Sequence, residues 1–286
     1  MHTLYDVPAP AKLNLFLHVT GRRPDGYHLL QSVFMLIDWC DTLHFELRTD
    51  GAITREDLTQ PLPADDLVLR AARALQAAAG SRLGAHIGVH KRIPAQAGMG
   101  GGSSDAASTL LALNRLWGLG LSRTQLQVLG LSLGADVPFF LCGKNAWVEG
   151  IGDIIRPLEL EHQLARASFA VVKPGAGLDT KAIFSHPSLK RDSCSATIQN
   201  FAAAPYQFGR SDLQPVAQTL CPEISQALAW LASKGLQGRM TGSGSAVFAQ
   251  ITHTADLHDA PSAWQVKTCD NLRLHPLLDW ALDGEI

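Results

Sequence analysis

Pro94-Ala95-Gln96-Ala97-Gly98-Met99-Gly100-Gly101-Gly102-Ser103-Ser104-Asp105 stands between a strand-like run, His86 to Ile93, and a segment from Ala106 to Trp117 whose apolar residues recur at helical spacing. A strand, a glycine loop and a helix start, in that order, make a cradle for phosphate. Glycines let a ligand approach backbone N–H groups, and the helix aims its unpaired amides and positive dipole end at the same space. A plain tight turn needs about one or two glycines; here four fall within the five positions 98–102, with two serines behind them. The loop lacks the lysine of G-x-x-x-x-G-K-[ST], which excludes the P-loop mechanism. Gly98-Met99-Gly100 begins like a dinucleotide fingerprint, but Ser103 replaces its third glycine and no acidic residue closes a strand about 20 positions later. The H-R-D and D-F-G motifs of protein kinases are also absent. Asp105 reads as a first-turn residue that complements the helix dipole, or that meets a phosphate through Mg²⁺.

Upstream of the loop, Asp65-Asp66 caps a predicted helix, Leu67 to Ala79, which Gly80 stops. Earlier still, Ala11 to Val19 alternates as a strand, with Leu13, Leu15, Leu17 and Val19 on one face and Lys12, Asn14, Phe16 and His18 on a second face that something covers. Arg22 to Gly26 is turn chemistry leading into a second strand, Tyr27 to Ile37. Downstream, a helix from Ser122 to Leu133 ends at Gly134-Ala135-Asp136-Val137-Pro138. Periodicity lapses over Gly150 to Glu161, and a domain boundary is read near 155, giving units 1–155 and 156–286. The second unit holds a strand from Phe169 to Lys173, a segment Lys181 to Phe184, and a helix near Glu223 to Ser233. A second glycine cluster, Thr241-Gly242-Ser243-Gly244-Ser245-Ala246, precedes a strand from Val247 to Ile251. Asp192 to Gly209 reads as the mobile loop.

The chain's 286 residues are 46% hydrophobic and only 17% charged, so it can bury a large core and is not disordered. Its net charge of −2 gives no general attraction for nucleic acid or anionic lipid, and any anionic ligand must be held by local geometry. Five cysteines without a C-x-x-C pair fit reduced thiols in a cytoplasmic setting. The start, Met1-His2-Thr3-Leu4-Tyr5-Asp6, has no secretory pattern, and no stretch approaches a membrane span. The histidines lack metal-ligand spacing, so no protein-held metal site is read.

Three ordered segments, Pro10-Ala11-Lys12-Leu13-Asn14-Leu15, Pro94 to Ala107, and Met240 to Phe248, resemble the three motifs of the GHMP small-molecule kinases across nearly the whole chain. Lys12-Leu13-Asn14, Arg22-x-x-Asp25-Gly26-Tyr27-His28, the triple glycine at 100–102 and Gly134 to Phe140 are most similar to the branch whose substrate is 4-diphosphocytidyl-2-C-methyl-D-erythritol, used in non-mevalonate isoprenoid synthesis. The chain departs from the usual pattern at Ala97, where glycine is common, and at Asp66, where asparagine is common.

The resemblance implies an α+β fold of two domains, a ribosomal-S5-like N-terminal one and a ferredoxin-like C-terminal one, with the site in the cleft between them. It implies ATP and Mg²⁺ as cofactors and phosphorylation of the substrate's 2-hydroxyl. Asp136 is implied as general base and Lys12 as the charge that stabilises hydroxyl or γ-phosphate. Pro94, Ala95, Gln96, Ala97, Gly98, Met99, Gly100, Gly101, Gly102, Ser103 and Ser104 are implied to hold ATP, with Asp66 and Lys91. Tyr27, His28, Phe34, Thr180 and Phe184 are implied to form the cytidine and methylerythritol pocket, joined by Gly242 and Ser243. Asn14 is implied to bind the substrate or brace Asp136. A monomer or weak homodimer is expected, with no nucleic acid or membrane partner. The competing readings are another GHMP kinase of homoserine or mevalonate type, a non-catalytic nucleotide-binding protein, and a nicotinamide-dependent oxidoreductase.

Overall fold

The computed structural model describes residues 2–159, 162 and 164–284; Met1 of the expected N-terminus and Leu160 and Glu161 of the expected linker lie outside them. Two long strands, β1 (Thr3–Arg22) and β2 (His28–Arg48), form an antiparallel hairpin around the turn at Arg22 to Gly26. After β3 (Ile53–Asp57) and helix α1 (Leu67–Ala79), β4 (Gly84–His90) runs parallel to β3 and antiparallel to β2. Helices α2 (Gly101–Leu116), α3 (Arg123–Leu133) and α4 (Val137–Cys142) follow, then β5 (Ala146–Glu149) and β6 (Ile154–Pro157). The first sheet has the order β3-β4-β2-β5-β6, with β1 beside β2. The boundary read near 155 falls within β6, which pairs with β5 of this sheet.

The rest of the chain supplies β7 (Ser168–Lys173), α5 (Thr180–Ser185), α6 (Ile198–Ala202), α7 (Gln214–Leu220), α8 (Pro222–Ser233), β8 (Arg239–Met240), β9 (Val247–Gln250) and β10 (Gln265–Asp270). A second sheet, all antiparallel, has the order β10-β7-β9-β8.

The apolar residues sort these elements into four layers. Val68, Ala72 and Leu75 of α1 and Ala106, Leu110 and Leu113 of α2 pack on Leu36, Leu43, Phe45 and Ile87 of the first sheet. That sheet's other face, with Leu13, Leu15, Met35 and Ile37, meets Phe169, Val171 and Phe248 of the second. Ala170, Val172, Val247 and Ala249 point the opposite way, onto Ile183, Ala217, Ile224 and Leu231 of the outer helices. Alternation buried on both faces is what a sheet lying between two layers demands.

Four sequence expectations change here. A register shift between Asn14 and Leu17 interrupts the alternation of β1, so Phe16 joins Leu13 and Leu15 in the inter-sheet core while Leu17 joins Lys12 and Asn14 at the cavity described below. Helix α2 begins at Gly101, which puts Asp105 beyond the first turn. Pro138 does not end a helix but sits in the first turn of α4, where its missing N–H costs nothing. The stretch 192–209 contains α6, whose Phe201 is fully buried against Phe16, Trp147 and Phe208, so it is not simply a loop.

Candidate active site

The glycine loop is fastened from three sides. Lys12 N–H of β1 donates to Met99 O at 3.0 Å. From the second sheet, Ser245 N–H and Ala246 N–H donate to Gln96 O and Ala97 O, at 3.1 and 3.2 Å. The β8–β9 turn therefore is a hairpin and also the far wall of the loop. Contact is close enough that only glycine fits: a Cβ on Gly98 would lie 2.3 Å from Thr241 O, and one on Gly242 would lie 2.6 Å from Gly98 O. From below, Ser104 and Ser108 of α2 donate their hydroxyls to Pro10 O and Pro8 O, at 2.6 and 2.8 Å.

Three cavities adjoin this seam. The first, about 550 Å³, is lined by Asp66, Lys91 and every residue from Ile93 to Ser103, with Thr180 and Ser243 opposite. A central one of about 210 Å³ is lined by Lys12, Asn14, Phe34, Gly98, Gly100, Asp136, Thr180, Phe184, Gly242 and Ser243 among others. The third, about 670 Å³, holds Tyr27, His28 and Phe184 with Arg22, Lys181 and Arg191. Gly98, Gly100, Thr180 and Ser243 are shared by the first two, and Leu30, Ile151 and Phe184 by the last two, so the three form one cleft. Of the residues read from sequence as site residues, only Ser104 lines none of them; it is fully buried under β1.

In the centre, Lys12 is 3% exposed. Its ammonium donates to Asn14 Oδ1, lies 4.6 Å from the centre of the Phe34 ring, and stands 3.9 Å from Asp136 Oδ2. Burial lowers the Lys12 pKa, and the Asp136 charge offsets part of that shift. Asn14 is itself fixed: its side chain donates to Ser32 Oγ at 2.9 Å and its backbone N–H to Thr241 Oγ1 at 2.9 Å. It braces Lys12, not Asp136. Asp136 is the residue before α4, its carboxylate makes no capping bond, and 31% of its side chain is open to solvent. A restrained cation thus faces a part-exposed carboxylate, which suits removal of a proton beside a developing negative charge.

Lys91 lines the first cavity, but its ammonium is held by Asp41 and Asp105. Burial works against its charge, yet the two carboxylates prevail and raise its pKa. Asp41, fully buried, also accepts the backbone N–H groups of Arg92 and Ile93. With two carboxylates to one cation, burial and Asp41 push Asp105 up to about 8, against the pull of Lys91. Asp105 is thus tied to Lys91 rather than left to the helix dipole. Asp66 caps α1 through Leu69 N–H at 3.1 Å and pairs with Arg55 at 2.6 Å. Sequence reading missed Asp41, Thr241 and Arg191 as parts of the site; only Thr241, inside the second glycine cluster, carried a local signal.

Family models and known proteins match the chain along most of its length. The family model for the GHMP kinases N terminal domain matches residues 66–144, and that for the GHMP kinases C terminal matches 189–270. A relative from Acidovorax sp. (strain JS42) named 4-diphosphocytidyl-2-C-methyl-D-erythritol kinase is 79% identical over 98% of this chain and 99% of its own length. Another of that name, from Paracidovorax citrulli, is 74% identical over the full length of both. A crystal structure of 4-(cytidine 5'-diphospho)-2C-methyl-D-erythritol kinase superposes with TM-score 0.74 and 30% identity, covering 92% of this chain and 98% of that one.

Proposed function

The chain belongs to the 4-diphosphocytidyl-2-C-methyl-D-erythritol kinases of the GHMP family, and we propose that its three joined cavities hold, in order, ATP, the reacting groups and the diphosphocytidyl alcohol. It is an enzyme that transfers phosphate from ATP to an alcohol.

In this reading the 2-hydroxyl of the substrate gives its proton to the Asp136 carboxylate as its oxygen bonds to the γ-phosphorus, and the bond from that phosphorus to the ADP oxygen breaks. Lys12 stabilises the negative charge that builds on the transferring group. The observation that carries this is the Lys12–Asp136 pair, 3.9 Å apart in the central cavity, with the glycine loop on one side and an aromatic, basic cavity on the other. Arg22 and Lys181 against one acid, Asp25, suit the substrate's diphosphate. Phe184 and Tyr27 offer ring faces for the pyrimidine.

Mg²⁺ belongs to this proposal. Among the described residues no group of three or more His, Cys, Asp or Glu side chains could cage a metal ion. A Mg²⁺ carried mainly by nucleotide phosphates, with Asp136 the carboxylate of the central cavity, fits such a donor set. When bound it would neutralise phosphate charge. The division into units 1–155 and 156–286 is supported by family models that fall on either side of it. Cytoplasmic location is part of the reading; among the described residues no helix is long and apolar enough to cross a membrane. A monomer or weak homodimer is part of the same proposal.

The test offers purified protein ATP with 4-diphosphocytidyl-2-C-methyl-D-erythritol, homoserine or mevalonate, and follows ADP release. Turnover with the first alone supports the reading, and preference for either other alcohol rejects it. Alanine at Tyr27 or Phe184 should raise KM for the cytidine substrate far more than for ATP.

A further inference from the structure

Arg191 follows α5 in a stretch that carries no periodic pattern, yet it donates four hydrogen bonds at one end of the third cavity. Its Nη1 donates to Leu189 O at 2.9 Å, and its Nη2 to His186 O at 2.8 Å and Phe184 O at 3.2 Å. Its Nε donates to His28 Nε2 at 3.0 Å. A guanidinium has no acceptor atom, so His28 Nε2 must accept. A neutral imidazole that accepts at Nε2 carries its proton on Nδ1. Among the described residues Nδ1 has no hydrogen-bond partner, and the ring lines the cavity, 5.1 Å from the Phe184 ring.

We propose that Arg191 is a positioning residue that sets base specificity, by holding His28 as the Nδ1–H tautomer so that the cavity presents a hydrogen-bond donor to a pyrimidine edge. The same guanidinium holds the backbone of α5 that carries Phe184, so ring stack and donor are set together. This deepens the cytidine reading of the cavity and rests on it. Cytosine offers acceptors at N3 and O2 along that edge, whereas uracil carries a proton on N3. A fixed donor fits the first and opposes the second, and unpaired polar groups in a built site are what give strong discrimination. Protonation would undo the lock, because imidazolium donates from both nitrogens and would meet Arg191 donor to donor. Burial, Arg191 and Arg22 all lower the His28 pKa; Asp25 and Lys181 are the other charged groups lining the cavity.

Two measurements test this. In ¹⁵N-labelled protein without substrate, imidazole ¹⁵N–¹H correlations assigned through His28→Gln should show His28 protonated on Nδ1. Steady-state kinetics with the diphosphocytidyl alcohol and its diphosphouridyl counterpart should give a preference for cytidine of about 100-fold or more. Arg191→Met should cut that ratio to within about 10-fold, through KM for the cytidine substrate and with KM for ATP unchanged. Arg191→Lys, which can still donate to Nε2, should keep the ratio while weakening both substrates. An Nε2–H tautomer in the wild type, or an unchanged ratio in Arg191→Met, would overturn the role of Arg191, and the tautomer measurement decides it even where Arg191→Met does not fold. No turnover of the diphosphocytidyl alcohol by the wild type would instead overturn the substrate reading.

Discussion

Asp136 Oδ2 stands 3.9 Å from Lys12 Nζ, beyond hydrogen-bond reach but close enough for mutual attraction. Lys12 has its ammonium on Asn14 and over Phe34. The Asp136 carboxylate makes no capping bond to α4.

This arrangement makes activity sensitive to alkali. Lys12 must be charged to stabilise the transferring group, and burial holds its pKa below the ordinary 10.5. As pH rises, kcat/KM should therefore fall at a midpoint below 10.5. Lys12→Arg, whose charge persists past pH 12, should shift that limb upward. Lys12→Met should lose about 100-fold or more in kcat at neutral pH. pH profiles of kcat/KM, with kcat at neutral pH, for the three proteins check all of this.

The seam between the two glycine clusters should tolerate no side chain. Gly98→Ala would put a methyl 2.3 Å from Thr241 O at a φ of +71°. Left-handed strain and overpacking together should cost about 2–4 kcal/mol in urea unfolding. Gly102→Ala, whose nearest neighbour would be Leu67 Cδ1 at 3.6 Å, should be neutral or slightly stabilising in the same assay.

Acid should weaken the fold through His275. Its Nδ1 accepts Leu277 N–H at 3.0 Å, and its buried Nε2 has no hydrogen-bond partner among the described residues. Burial, with Arg123 nearby, drops its pKa from 6.5 to about 3. The unfolded chain then binds the proton more tightly, so the contribution is intact above pH 6.5 and is lost as pH falls from there towards about 3. The slope from this group is at most about 1.4 kcal/mol per pH unit. His275→Gln should show a shallower fall than wild type in urea titrations through that range.

Local signals were enough for some of this molecule. Helix α1 matches its sequence limits because Asp66 and Gly80 act where they stand, one as N-cap and the other as a left-handed C-cap. The glycine loop before a helix start was legible for the same reason, because both stand side by side in the chain. Elsewhere the deciding partner lies far along the chain. Asp41 has no pattern around it, and its role depends on Lys91, 50 residues away. Phe16 turns into the core because a bulge shifts the register, which alternation alone does not reveal. Pro138 looked like a stop, although proline also suits a helix start. Lys12 and Asp136 were picked out by family resemblance; spacing would have left one as a surface lysine and the other as a turn former.

The most direct test of the account is the turnover number of Asp136→Asn with ATP and 4-diphosphocytidyl-2-C-methyl-D-erythritol. The side chain is part-exposed and caps nothing, but its charge offsets part of the burial of Lys12, so urea unfolding is followed beside turnover. With the fold intact, kcat should fall by about 100-fold or more, as loss of a general base requires. A folded Asp136→Asn enzyme that turns over within a few-fold of wild type would contradict the assignment.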